Sequence, residues 1–209
     1  EMHAIGDRAA DELLKSMLKN GYTPEDRPVL THCQILNEDI IKRMEAQGVI
    51  GNIQPQFVPS DAAGTLSRFG AKRLPFTYCW KTMRDAGIVL AGGSDGPVEE
   101  PRPLHGIYYA MTHSSAHGAG HAPLLEKERM SFAEALEMYT IGASVAVRME
   151  HRLGLLHQGY DADFIITSLK PDVETNPDQL LSAEVDATYV KGKRAYDKSI
   201  GFPGWERPE

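Results

Sequence analysis

Three residues of this 209-residue chain combine a chemistry-bearing side chain with an equivalent place in the sequence pattern: His3, His32 and Asp95. Each stands where a short apolar run gives way to a helical one. Two imidazoles and a carboxylate converging on one face make a donor set suited to a divalent transition metal such as zinc. Taken singly, each has a plain alternative, since a histidine at a strand end is often only a polar residue beside a loop. Three at equivalent positions favour the metal reading. Gly6 and Gly96, close behind two of them, would let the backbone turn sharply beside a reacting centre.

Other residues invite weaker readings. His113, His117 and His121 recur every four residues, but the intervening Ser, Ala and Gly residues form helix poorly. A substrate-facing loop suits them better than a second metal site. Asp7 reads as a helix cap. Gln54 and Gln56 could point into a pocket or be ordinary loop polarity, and Glu99 and Glu100 read as solvated. Cys33 follows His32 directly, so strand alternation aims it the opposite way and argues against a nucleophile.

The elements that must carry these residues follow from periodicity and punctuation. Ala10, Leu13, Leu14, Met17 and Leu18 recur at helical spacing and stop at Gly21. Pro28–His32 reads as a strand. Asn37 starts a helix presenting Ile40, Ile41 and Met44, which ends at Gly48. Val49–Ile53 reads as a strand and residues 54–75 as a long loop. A helix over residues 78–86 ends at Gly87, and Ile88–Ala91 reads as a buried strand. With the end of another strand before His3, strict alternation predicts a parallel sheet with crossover helices. In such folds the C-terminal ends of the strands share one face, where active sites are built. Beyond Pro97, helices are expected over residues 104–113 and from a Ser131 cap through Ile141. A loop over residues 114–123 separates them. From Gly154 the texture is β, with strands at Asp163–Thr167 and Ala187–Val190 and a turn at Lys191–Lys193. The tail from Gly201 to Glu209 reads as loose.

Composition narrows the classes. Hydrophobic residues make up 42% and charged residues 24%, as in globular proteins. No apolar run reaches the roughly 20 residues of a membrane helix, and the first residues do not form a signal peptide. The net charge of -7 repels a phosphate backbone, so nucleic acid is not an expected partner. Two distant cysteines, Cys33 and Cys79, exclude a disulfide scaffold and suit a reducing cytoplasm.

His3-Ala4-Ile5-Gly6-Asp7-Arg8-Ala9 resembles the strand-five motif of the amidohydrolase superfamily, in the family-3 branch that includes N-substituted formamide deformylases. Thr31-His32-Cys33-Gln34 resembles its strand-six motif, and Gly93-Ser94-Asp95-Gly96-Pro97-Val98 its strand-eight motif. Residues 154–164 resemble the family's return into its β-sandwich, and residues 185–193 its closing hairpin. The resemblance implies an α/β fold: the C-terminal half of a (β/α)8 TIM-like barrel followed by a small β-sandwich segment. Residues 1–150 would hold barrel strands five to eight, and residues 151–209 the sandwich portion and tail. It further implies that His3 and His32 bind a divalent metal, zinc above all, with one or two ions in the parent protein. Asp95 would bind or orient the metal's water and shuttle its proton. The expected substrate is a small amide-like molecule.

The family's first-strand His-x-His pair and fourth-strand bridging lysine have no counterpart in this sequence. The chain alone is therefore expected to be an inactive part of a hydrolase. Two raw strand edges would make it self-associate or pair with the remaining half of the barrel. The alternative reading is a non-catalytic α/β fragment or binding module. No Gly-rich phosphate loop supports a nucleotide-binding version of it.

Overall fold

The apolar runs that read as strands pair in parallel. In the computed structural model, which describes residues 1–201, β1 (Met2–Ala4), β2 (Val29–His32), β3 (Ile50–Ile53) and β4 (Leu90–Gly92) form one sheet in the order β1-β2-β3-β4. All of these pairings are parallel, so the chain must cross back over the sheet between strands. The crossovers are α1 (Asp7–Lys19), α2 (Glu38–Ala46), and then α3 (Phe57–Arg68), α4 (Gly70–Arg73) and α5 (Trp80–Asp85).

The register sorts side chains onto two faces. Met2, Leu30, Gly51 and Leu90 form one row, and Ala4 and Ile53 share its face. Ala4, Leu30, Ile53 and Leu90 are buried in the main core with Leu14, Ile40 and Met44 of the helices. A side chain on Gly51 would sit 2.9 Å from Leu90 Cδ2 and 3.0 Å from Met83 Cε, so glycine lets those two meet across the strand. The neighbouring row is His3, Thr31, Asn52 and Ala91. By the two-residue alternation of strands it lies on the opposite face, and it is mostly polar.

Local chemistry explains the helices. α1 buries Ala10, Leu14 and Met17. Leu18 is exposed instead, because it falls at the edge of that stripe in the last turn. Asp7 is the first residue of α1 rather than its cap. Gly6 takes the cap position, and the Asp7 carboxylate accepts from Arg8 N at 2.9 Å. Asn37 caps α2 by accepting from Ile40 N at 2.9 Å. The segment from Gln54 to Pro75, expected as a loop, is largely α3 and α4. Pro59 sits in the first turn of α3, where amides lack intrahelical partners, so it does not break the helix.

After β4 come α6 (Pro103–Thr112), α7 (Phe132–Tyr139) and α8 (Ile141–Ala146). Ser131 caps α7 in a capping box with Glu134. The expected continuation through Ile141 fails at Thr140, with φ -123° and ψ -91°. Two close approaches account for the break. A Cβ on Gly142 would meet Leu90 O at 1.9 Å, and the Tyr139 ring wedges between Gly92 and Gly106, where a Cβ would meet it at 2.6 and 1.8 Å. Between α6 and α7 a loop closes on itself: Ser114 bridges to Pro123, and Leu124 N donates to His113 O at 2.7 Å.

The C-terminal part is a separate antiparallel sheet of β5 (Phe164–Thr167), β6 (Val185–Val190) and β7 (Lys193–Asp197), in the order β5-β6-β7, with α9 (Gln179–Ser182) between β5 and β6. The turn at Lys191–Lys193 leads into β7, a strand beyond those expected from the sequence. Among the described residues this is a single sheet, and the sandwich stays an expectation. His105 Nε2 donates to Leu181 O at 3.2 Å, tying α6 to the segment before β6. The tail expectation for residues 202–209 lies outside the described residues.

Candidate metal centre

His3 and His32 end up together. His3 lies on β1 and points to the polar face, where it is exposed. His32 is the last residue of β2 and pairs in register with Ala4, which belongs to the opposite, apolar face. Alternation alone would therefore separate the two rings. The backbone reverses this: His32 has φ 81° and Cys33 φ 51°. The result is His3 Nδ1 at 3.0 Å from His32 Nε2, with ring centroids 5.0 Å apart. The sharp turns come from His32, Cys33 and Asp95 (φ 54°) themselves. Gly6 is extended at φ -102°, and Gly96 has no positive φ, so neither glycine supplies the freedom expected of it.

The surroundings of His32 are built. The residue is 7% exposed, and its Nδ1 lies 3.1 Å from Gln54 Oε1. The ring of Phe57, the first residue of α3, packs edge-to-face with the imidazole, centroids 6.3 Å apart. On the polar face, Glu1 accepts from Thr31 Oγ1 at 2.6 Å and from Asn52 Nδ2 at 2.9 Å. Those two donors, Thr31 first, hold the Glu1 carboxyl below the usual carboxylate range. Sequence alone leaves Gln54 open between a pocket residue and ordinary loop polarity. Its link to His32 depends on register between strands, which no local pattern encodes.

Asp95 lies three residues past β4, half-buried, and its carboxylate makes no hydrogen bond or ion pair among the described residues. Among the described residues no group of three or more His, Cys, Asp or Glu side chains is placed to hold a metal ion. The structure thus brings together two of the three expected donors and leaves Asp95 apart from them. The donor pair itself fits a metal. Two ligands of a tetrahedral zinc at ordinary Zn–N lengths sit about 3.3 Å apart, close to the 3.0 Å found here.

The remaining candidates resolve differently. His113 ends α6 in a left-handed cap, fully buried, with Nε2 donating to Tyr78 O at 3.0 Å and Nδ1 accepting from Leu125 N at 3.2 Å. His117 reaches Ser60 Oγ at 3.1 Å, and His121 is exposed. The three share no helix face. Glu99 is held by the Ser60 hydroxyl rather than fully solvated, and Gln56 Nε2 donates to Glu100 O at 2.9 Å. Cys33 is buried in the apolar core, where burial pushes its thiol up, and Cys79 is pushed up to about 12 for the same reason. Neither is a nucleophile in this state.

A parallel sheet with crossover helices, carrying converging imidazoles at its C-terminal ends, defines an α/β protein of the kind found within barrel hydrolases. The chain belongs to the amidohydrolase family, whose model matches residues 1–196. It is 34% identical over 198 residues to the protein named "Putative amidohydrolase YtcJ" of Bacillus subtilis (strain 168), covering 95% of this chain and 37% of that protein. It is 29% identical over 119 residues to the N-substituted formamide deformylase of Arthrobacter pascens, covering 57% of this chain and 21% of that one. An uncharacterized metal-dependent hydrolase from Pyrococcus furiosus superposes with a TM-score of 0.65 at 29% identity, covering 77% of this chain and 31% of that structure. The chain therefore spans 37%, 21% and 31% of the length of these three proteins.

Proposed function

We propose that this chain forms part of the active site of a metal-dependent hydrolase that cleaves amide or other non-peptide C–N bonds in a small molecule. The observation that carries the reading is the pair His3 Nδ1 and His32 Nε2, 3.0 Å apart at the C-terminal ends of adjacent parallel strands. The family match supports it. A divalent metal held there, zinc by its donor chemistry, would polarise a substrate carbonyl and make water acidic enough to attack it. His3 and His32 each offer one ring nitrogen as a ligand. Asp95, whose carboxylate has no partner among the described residues, would take the proton from the attacking water and pass it to the departing nitrogen. One ion or two is left to the parent protein's other ligands. We assign residues 1–150 to the barrel portion and 151–209 to the sandwich portion and tail, of which 202–209 lie outside the described residues, and place the protein in the cytoplasm. Two free buried cysteines support the location, and no helix among the described residues is long and apolar enough to cross a membrane.

The test is metal binding and turnover in the full protein. His3→Ala and His32→Asn should each abolish stoichiometric zinc binding. Asp95→Asn should keep the metal and lower kcat by about 10²–10⁴-fold, the usual worth of a proton-transfer group. Zinc binding unchanged in both histidine variants would overturn the reading.

A second reading, a non-catalytic module, is favoured by one observation: no third donor joins the two histidines among the described residues. It applies to the 209-residue chain by itself. That chain should bind zinc weakly and hydrolyse no amide, and calorimetry showing tight one-to-one zinc binding by its monomer would exclude this.

A further inference from the structure

The polar face holds more than the two histidines. Starting from Glu1, each hydrogen bond dictates the next. A carboxylate only accepts, so Asn52 must face Glu1 with its amide Nδ2, as it does at 2.9 Å. That leaves Asn52 Oδ1 as an acceptor, and Gln54 Nε2 lies 3.5 Å from it and 3.3 Å from Asn52 O. With its amide nitrogen so committed, Gln54 turns its Oε1 to His32 Nδ1 at 3.1 Å. Gln54 is 2% exposed, which shields these bonds from bulk water. An acceptor at Nδ1 requires Nδ1–H, and in a neutral imidazole the other nitrogen then carries the lone pair. That nitrogen, Nε2, is the atom facing His3 Nδ1 at 3.0 Å.

We propose that the chain Glu1–Asn52–Gln54 fixes His32 in the tautomer whose Nε2 lone pair is directed at the His3 side of the rim, with Gln54 as its positioning residue. This rests on the metal-centre reading for its purpose but not for its geometry. Gln54 contacts His32 and Asn52 through its side-chain amide. It acts through His32 by locking the ring's orientation and its protonated nitrogen before any ligand arrives. Outer partners of this kind commonly set metal affinity by about 10–100-fold. Glu1 matters as the charged end of the chain: exchanged for a group that can also donate, it no longer forces the direction of the bonds behind it.

The experiment has two readouts in the full protein. Long-range proton–nitrogen correlation spectra of the metal-free protein, labelled with ¹⁵N-histidine, report which His32 nitrogen is protonated. Zinc titration reports affinity. In the native sequence His32 should be protonated at Nδ1 and pyridine-like at Nε2. Gln54→Met, similar in volume but without the acceptor, should shift the ring toward the Nε2–H form and weaken zinc by about 10–100-fold. Gln54→Glu restores an acceptor and should restore both the tautomer and most of the affinity. Native His32 protonated at Nε2 would overturn the proposal without any variant, as would Gln54→Met leaving both readouts unchanged. The expected tautomer together with no zinc binding by the native protein would uphold the hydrogen-bond chain and sink the metal-centre reading instead.

Discussion

Ala4 and His32 are register partners across β1 and β2, yet their side chains leave the sheet on opposite sides. Ala4 is 2% exposed in the apolar core, while the His32 ring lies against His3 on the polar face. The reversal resides in the backbone of His32, at φ 81°. Residues other than glycine enter that region at a cost of about 1–3 kcal/mol, asparagine, aspartate and histidine more readily than β-branched residues.

That conformation can be separated from the imidazole's chemistry. His32→Asn removes the ring but tolerates a positive φ, whereas His32→Val removes the ring and adds a β-branch there. The valine variant should be less stable than the asparagine variant by about 1 kcal/mol or more, read from urea midpoints. Equal midpoints would show that the turn relaxes freely.

Tyr139 and Gly106 make a second test. A Cβ on Gly106 would lie 1.8 Å from Tyr139 Oη, so Gly106→Ala should cost about 1–3 kcal/mol by overpacking. The Tyr139 hydroxyl is buried without a hydrogen-bond partner among the described residues. Tyr139→Phe should therefore be neutral or stabilising, and should recover part of the Gly106→Ala loss in the double variant. Strict additivity in that cycle would mean the two sites do not touch.

His113 sets a pH dependence. Burial, partly offset by its bond to Tyr78 O and the nearby Glu128, holds its imidazole below the ordinary histidine value. The unfolded chain therefore binds a proton near pH 6.5 that the folded chain refuses. The stability contribution is complete above about 6.5 and is lost as pH falls from there toward the lowered folded value. Urea midpoints of the native protein should drop between pH 7.5 and 5.5 more steeply than those of His113→Gln, which can still donate and accept. Parallel curves would remove His113 from the account.

β1 and β4 each have a sheet neighbour on one side only among the described residues. Bare parallel edges beside the exposed Val89 favour pairing with another chain. The isolated 209-residue chain should sediment as a species larger than 23.1 kDa at micromolar concentration. A clean monomer that unfolds cooperatively would show that the sheet closes its own core.

The strands were legible because apolar runs such as Val29–Leu30 are bounded by proline or glycine, and the helix stops at Gly21, Gly48 and Gly87 carry positive φ. α3 was not, because Pro55, Pro59, Gly64 and Gly70 read as breakers. The signal that could have found it was the spacing of Val58, Ala62 and Thr65, all buried. His3 and His32 were legible as residues at strand ends, but their meeting was not: it depends on a left-handed turn at His32 that histidine does not announce. The Gln54 contact is a tertiary fact of register. Asp95 kept its place after β4, although its backbone, and not Gly96, makes the turn.

The loop between α6 and α7 has its base pinned while its far side is only lightly held. Gly118 N donates to the Tyr109 hydroxyl at 3.2 Å, and Gly118 O accepts from the Tyr108 hydroxyl at 3.1 Å. Beyond that point the chain turns back at Gly120 with φ 79°. Extra residues inserted between Ala119 and Gly120 would lengthen a loop already closed at its stem, and closure entropy grows only logarithmically with length. The segment is thus a ready place for relatives to diverge in size, and for an engineered tag or fluorophore to be carried without disturbing the sheet.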